Sequence, residues 1–230
     1  MISEKTIVAA FAFGVAMMSF AAPMTTSWGD KVTSENCWRG YPRPQMVREK
    51  WTNLNGEWDY AVTSVTNTPG RPEKWDGKIR VPFCIESTLS GVGRHLNPDE
   101  FLWYSRKIEC DPKPGERILL HFGGVDFRTM VFIWHDEVTD VPHEGGQNAF
   151  TLDITDYVKK GENELTLCVW DPTEDFINSR GKQCFKPHGC FYTRVSGICP
   201  YMRVHTRRPP RGCRLQLSCL RRRRPRGRGR

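Results

Sequence analysis

The chain predicts an all-β fold, an antiparallel β-sandwich of jelly-roll type, from three observations. Its apolar residues recur with a period of two rather than 3.6. The alternating runs are short and rich in β-branched and aromatic residues, and Gly, Pro, Asn and Asp punctuate the gaps between them. No amphipathic stretch of useful helical length competes with them, and many short strands separated by turn signals favour a sandwich.

Eight strands follow in order: 57–65 (EWDYAVTSV), 77–83 (GKIRVPF), 102–110 (LWYSRKIEC), 117–122 (RILLHF), 129–134 (TMVFIW), 149–154 (AFTLDI), 164–170 (ELTLCVW) and 190–195 (CFYTRV). In the seventh, Leu165, Leu167 and Val169 face one side while Thr166, Cys168 and Trp170 face the other. Both faces carry bulk, so this strand is expected at the centre of a sheet. Gly161 supplies the turn before it. The sixth strand follows His143-Glu144-Gly145-Gly146, whose paired glycines read first as a tight turn.

The two ends differ from this body. The apolar run from Thr6 to Ala22 is short for a membrane span and closes on Ser19-Phe20-Ala21, so residues 1–21 read as a secretory signal peptide and the mature protein as secreted or periplasmic. Residues 22–50 are a lead-in. From Ile198 to Arg230 there are twelve Arg and no Lys, Asp or Glu; removing these charges from the formal +8 leaves the first 197 residues at −4. The basic surplus therefore lives in residues 199–230, an Arg- and Pro-rich segment expected to be disordered. Its abrupt composition reads as translation in a shifted frame. A phosphate-binding arm is the lesser alternative, and no specific nucleic-acid partner is expected.

The body holds Cys37, Cys84, Cys110, Cys168, Cys184 and Cys190. Cys84 and Cys168 lie inside strand-like runs, where cysteine is often a small buried hydrophobe. Cys184 and Cys190, with His188 between them, lack the second cluster a zinc site needs, so a bridge between the two thiols is preferred over a metal. No metal and no cofactor is expected.

Several blocks in order carry a resemblance: LNGEWDYAV (54–62), GKIRVPFCIESTLSGVGR (77–94), FLWYSRKIE (101–109), ILLHFGGVDF (118–127), HEGGQNAFTLDIT (143–155), VWDPTED (169–175), GKQ (181–183) and YTRVSGI (192–198). Together they resemble the N-terminal sugar-binding domain of glycoside hydrolase family 2, the group of β-galactosidases, β-glucuronidases and β-mannosidases. The resemblance covers 51–198 and implies a galactose-binding-like jelly roll. It also implies a parent enzyme with a further sandwich and a catalytic barrel, neither of which is present in this chain. His135-Asp136 stand where an Asn-Gly turn is usual, and Gln147 where the family commonly has an aromatic residue.

The resemblance implies a non-catalytic carbohydrate-binding role, with His143, Glu144, Asp171, Lys182, Gln183 and Tyr192 as candidate sugar contacts. Hydrolysis of O-glycosyl bonds belongs to the parent enzyme. Glu86, Asp126, Asp171, Glu174 and Asp175 are present, but no pair stands out as acid and nucleophile, so catalysis by this chain alone is not expected. The alternative is a free-standing secreted carbohydrate-binding or interaction sandwich, for which Trp75, Trp103, Trp134 and Trp170 would be platform candidates, most of them expected in the core. After Ile198, the segment 199–206 (CPYMRVHT) permits a strand with Met202 and Val204 inward, ending by about Thr206. With Met202 and Val204 inward where the resemblance implies large aromatics, it is expected to leave a poorly covered edge.

Overall fold

The computed structural model describes residues 26–40, 49–65, 70–199 and 202–207. The signal-peptide reading of 1–21 lies outside those residues, as does most of the 199–230 segment expected to be disordered; within that segment Met202–Arg207 form a strand, contrary to the expected disorder. No helix among the described residues is long and apolar enough to cross a membrane.

Two antiparallel sheets face each other. The larger runs β3 (Gly77–Val81), β2 (Gly56–Ser64), β4 (Glu100–Cys110), β11 (Gly161–Trp170), β7 (Arg128–Ile133) and β8 (Asp136–Glu137), with β9 (His143–Glu144) also on β7. The smaller runs β1 (Trp51–Asn53), β15 (Met202–Arg207), β5 (Arg117–Phe122) and β10 (Phe150–Asp153). Short two-stranded pairs, β6 (Val125–Asp126) with β14 (Gly197–Ile198) and β12 (Gln183–Cys184) with β13 (Tyr192–Thr193), lie outside both sheets.

The period-two pattern sets which side chains enter the space between the sheets. Leu102, Tyr104 and Ile108 of β4, Leu165, Leu167 and Val169 of β11, and Val131 and Ile133 of β7 meet Ile118, Leu120 and Phe122 of β5 in one buried cluster. β11 is central as expected, paired with β4 from Gly161↔Cys110 to Val169↔Leu102 and with β7 from Leu165↔Ile133 to Trp170↔Arg128. Its other face contributes Cys168 to a second cluster with Ala61 and Trp103, against which Trp75, Phe101, Met130 and Phe132 pack. Trp103 is buried, while Trp75, Trp134 and Trp170 are half-buried.

Three expectations change. The segment 190–195 is not a regular strand: only Tyr192–Thr193 pairs, in parallel, with Gln183–Cys184. Residues 190–193 are exposed, and the Val195 N–H donates to the Gln183 side chain rather than to a strand. The hairpin after β7 turns on Trp134 and His135, not His135 and Asp136, with Trp134 at φ 57°. Cys184 and Cys190 are free thiols, the first buried and the second exposed.

The segment after Ile198 joins the fold as its alternation permits. Met202 and Val204 are buried, and β15 pairs with β1 on one side and β5 on the other. Asn55, itself buried, accepts from the Met202 N–H at 3.2 Å, and the Leu54 N–H donates to the Met202 carbonyl at 3.0 Å. The poorly covered edge is therefore not found there, because β15 lies inside the sheet with a partner on each flank.

Candidate functional site

β11 ends at Trp170, and the chain makes a long excursion before returning through β14 beside β6. The last residues of that excursion, Val195 to Ile198, are fixed by side chains from four other places. The Gln183 carboxamide oxygen accepts the Val195 N–H at 2.6 Å, and its amide donates to Asp126 Oδ2 at 3.0 Å. Glu86 accepts the Ser196 N–H at 2.9 Å, and Asp171 Oδ2 accepts the Ser196 hydroxyl at 2.7 Å. The buried Tyr104 hydroxyl accepts the Ile198 N–H at 3.4 Å.

Asp171 also closes its own turn, as Asp-Pro favours: Oδ1 accepts the Thr173 N–H at 2.9 Å. Asp171, Gln183 and Ser196 are all buried, so each satisfied group avoids the cost of an unpaired polar atom away from water. Burial raises the Asp126 carboxyl to a pKa of about 6; the Gln183 amide offsets part of that rise, and the nearby Asp171 and Glu86 charges add to it. Asp171 and Glu86 are raised as well, chiefly by burial, with the Ser196 hydrogen bonds working against it in both. Arg194 is buried beside them, its guanidinium 4.7 Å from the Phe185 ring centre.

The His143-Glu144-Gly145-Gly146 stretch is a turn built against this cluster. Glu144 pairs opposite Arg128, and its carboxylate holds the guanidinium at 2.6 Å, which in turn lies 5.0 Å over the Trp170 ring. The His143 ring stacks on Phe150 at 3.8 Å. Gly145 takes φ 123°, and a Cβ on Gly146 would collide with the Asp126 carboxyl group. Glycine is therefore required twice, for conformation and for close approach.

The six sequence-expected site residues thus separate. Asp171 and Gln183 are buried in the polar cluster, Lys182 and Tyr192 sit on the outside of the same excursion, and His143 and Glu144 lie beside β7. Lys182 and Tyr192 are brought together, since the Tyr192 N–H donates to the Lys182 carbonyl at 3.1 Å. Ser196 and Arg194 escaped the sequence reading: each is a single polar residue in a short run with no periodic signal. Besides Tyr192, the excursion exposes Phe176, Ile177, Phe191 and Val195, so five of the eight large exposed hydrophobics among the described residues lie between 171 and 196.

Chemically, the cluster is a set of acceptors already engaged. Both Asp171 oxygens accept from Ser196 and Thr173, and Glu86 takes the Ser196 N–H. They orient the excursion; its outer face, with Lys182, Tyr192 and the exposed rings, is what can meet another molecule. No group of three or more His, Cys, Asp or Glu among the described residues is arranged to hold a metal ion.

Residues 78–194 match the family model described as glycosyl hydrolases family 2, sugar binding domain. The chain is 29% identical over 119 residues to a beta-glucuronidase of Bacteroides fragilis, covering 50% of this chain and 15% of that one. It is 30% identical over 88 residues to a beta-galactosidase of Thermoanaerobacter pseudethanolicus, covering 38% of this chain and 11% of that one. A solved Faecalibacterium prausnitzii beta-glucuronidase shares the fold, with a TM-score of 0.53 at 20% identity over 74% of this chain and 33% of that one. Across three curated relatives the chain spans between 11% and 17% of their lengths. With the family model matching half of its residues and the sandwich matching in fold, the chain belongs to the sugar-binding domain family of glycosyl hydrolases family 2.

Proposed function

We propose that this chain is a non-catalytic carbohydrate-binding domain of an exported β-glycosidase of the β-glucuronidase and β-galactosidase group, and that the hydrolytic chemistry resides in a longer parent enzyme. The observation that carries the reading is the two-sided excursion from Asp171 to Ser196. Inside, its backbone is held by Glu86, Asp171 and Gln183, with Asp126 accepting from the Gln183 side chain; outside, it presents Lys182, Tyr192 and several exposed apolar side chains. A rigid loop with a polar and aromatic outer face suits contact with a β-glycoside and with the wall of an adjoining domain.

The test is sugar binding and turnover by the purified full chain. Binding of aryl β-glucuronide or β-galactoside, weakened by Lys182→Ala and Tyr192→Ala and unaccompanied by hydrolysis, is the expected result. Hydrolysis abolished by changing one carboxylate would overturn the non-catalytic reading. Absence of any glycan binding, with retained association to a separately expressed barrel domain, would favour a purely interacting sandwich, to which the exposed Ile177 and Phe191 are equally suited. Export is checked by the N-terminus of the mature protein, expected just after Ala21 or Ala22.

A further inference from the structure

The sandwich is open at the corner where β4 ends and β5 begins, and this corner shares no residue with the excursion. A cavity of about 330 Å³ lies there between the two sheets, a volume within the range of pockets that take a small molecule. Its floor is apolar: Ile118 closes the bottom, and Cys110 and Val204 each keep 7% of their surface exposed. Burial, helped by the neighbouring Glu109 charge, pushes the Cys110 thiol up to about 11, so the floor carries no charge at neutral pH. Thr52 pairs opposite Val204 and Thr206 opposite Ile118, which puts both threonine side chains on the same face as the floor. The corner stays open because β1 is a three-residue edge strand with no strand beyond it among the described residues, and Thr52 is accordingly exposed.

The polar groups around this floor include donors and acceptors. Neither the Thr52 nor the Thr206 hydroxyl makes a hydrogen bond to another described residue, although both residues line the cavity. The Lys50 ammonium donates to the buried Glu116 carboxylate at 3.1 Å, and the Lys50 carbonyl accepts the Thr206 N–H at 3.2 Å. The second bond ties the lead-in to β15, so the walls are held before any ligand arrives. The other lining cation, Lys113, lies 3.4 Å from Asp111. Both ammonium groups are thus paired, whereas Glu49 and Glu109, exposed at the rim, form no ion pair among the described residues. The rim carries a negative surplus.

We propose that this cavity is a carbohydrate site separate from the excursion, taking one uncharged pyranose ring. The ring C–H groups meet the exposed edges of Cys110 and Val204. The ring hydroxyls, each both donor and acceptor, exchange hydrogen bonds with the Thr52 and Thr206 hydroxyls and accept from the N–H groups that Lys50 does not give to Glu116. An apolar floor beneath a few oriented polar groups is the arrangement that holds such a ligand. A uronate is disfavoured, because Glu49 and Glu109 repel its carboxylate and neither lysine is free of a carboxylate partner. The choice of a sugar rests on the carbohydrate-binding reading above; the cavity and its charge do not.

The test is amide NMR of the full chain titrated with methyl β-D-glucopyranoside and methyl β-D-galactopyranoside, with sodium glucuronate as the charged comparator and D-glucitol as the acyclic one. At least one neutral glycoside is expected to give saturable shifts at Thr52, Cys110 and Thr206, with a Kd on the order of 5 mM. Thr52→Val, at an exposed position, and Thr206→Val, which keeps the branched shape a strand favours, should each weaken binding about threefold (about 0.6 kcal/mol). Thr52→Ser and Thr206→Ser, which keep the hydroxyl, should restore it. Glucuronate should bind about threefold more weakly at about 20 mM salt, a gap that narrows at about 0.5 M as the rim is screened. No saturation by about 100 mM of either neutral glycoside would overturn the proposal. So would undiminished binding by both valine variants, or glucuronate or D-glucitol binding as tightly as the glycosides. Shifts confined to residues 171–196 would also overturn it while supporting the accessory role proposed above; shifts confined to the open corner would uphold it and count against that role.

Discussion

The Asp171 carboxylate accepts the Ser196 hydroxyl at 2.7 Å, bridging the two ends of the excursion between β11 and β14 across a separation of 25 positions. Both partners are buried. Removing the hydroxyl leaves a charged acceptor without its donor, which costs about 1–3 kcal/mol. Ser196→Ala should therefore lower the urea midpoint by that equivalent with an unchanged m-value, and should speed proteolytic nicking between 171 and 196. A Ser196→Ala chain with wild-type midpoint and nicking would show that the bridge is incidental.

Asp126 gives a pH dependence of defined sign. Its folded pKa of about 6 stands above the ordinary value of 3.8, so between those values the folded state holds more protons than the unfolded one. Its contribution to stability then falls as pH rises from about 4 to about 6, and it is flat beyond, by about 1–3 kcal/mol in all. His121, pushed down to about 4 by burial, acts in the opposite direction over pH 4 to 6.5. The measurement is therefore the difference between wild type and Asp126→Asn, which keeps an acceptor for Gln183. That difference should widen in favour of the variant up to about pH 6 and then level; a difference independent of pH would refute it.

Gly146 and Gly161 separate two roles of glycine. Gly161 takes φ 94° but has open space where a Cβ would stand, whereas Gly146 faces the Asp126 carboxyl group directly. Gly161→Ala should cost about 1 kcal/mol in backbone strain. Gly146→Ala should cost more, about 2–3 kcal/mol, because the carboxyl is itself held by Gln183 and cannot simply swing away. Thermal melts of the two variants give the ranking, and the reverse order would contradict it.

The strand after Ile198 can be tested by truncation. A chain ending at Arg207 keeps β15 and should melt like the full-length protein. One ending at Ile198 loses the buried Met202 and Val204 side chains, each contributing about 1.5–3 kcal/mol, together with the pairing of β15 to β1 and β5. It should unfold or aggregate through the opened sheet. Amide exchange on the full chain should show strong protection at Val204 and Thr206. If truncation at Ile198 has no effect on the melt, β15 does not stabilise the sandwich.

The sequence by itself determined the class of fold, the central place of the 164–170 strand and the division of that strand's side chains between two faces. Strand alternation is a local property: once Leu165, Leu167 and Val169 share a face, one buried side suffices to orient them. It also indicated that Met202 and Val204 could pair inward, and that the paired glycines at 145 and 146 form a turn. Only the tertiary structure decided what the turn presses against, and that Asp126, Gln183, Asp171 and Ser196 converge. Those residues lie up to 70 positions apart, on segments with no period to read. The same limit explains the region 190–195, which has the composition of a strand but whose backbone donor at Val195 is taken by a distant side chain. Periodicity reports which face is apolar; it carries no information about which polar group, arriving from elsewhere in the chain, will satisfy a backbone amide or crowd a glycine. Those choices are made by three-dimensional packing, where the cost of an unpaired buried group selects one arrangement.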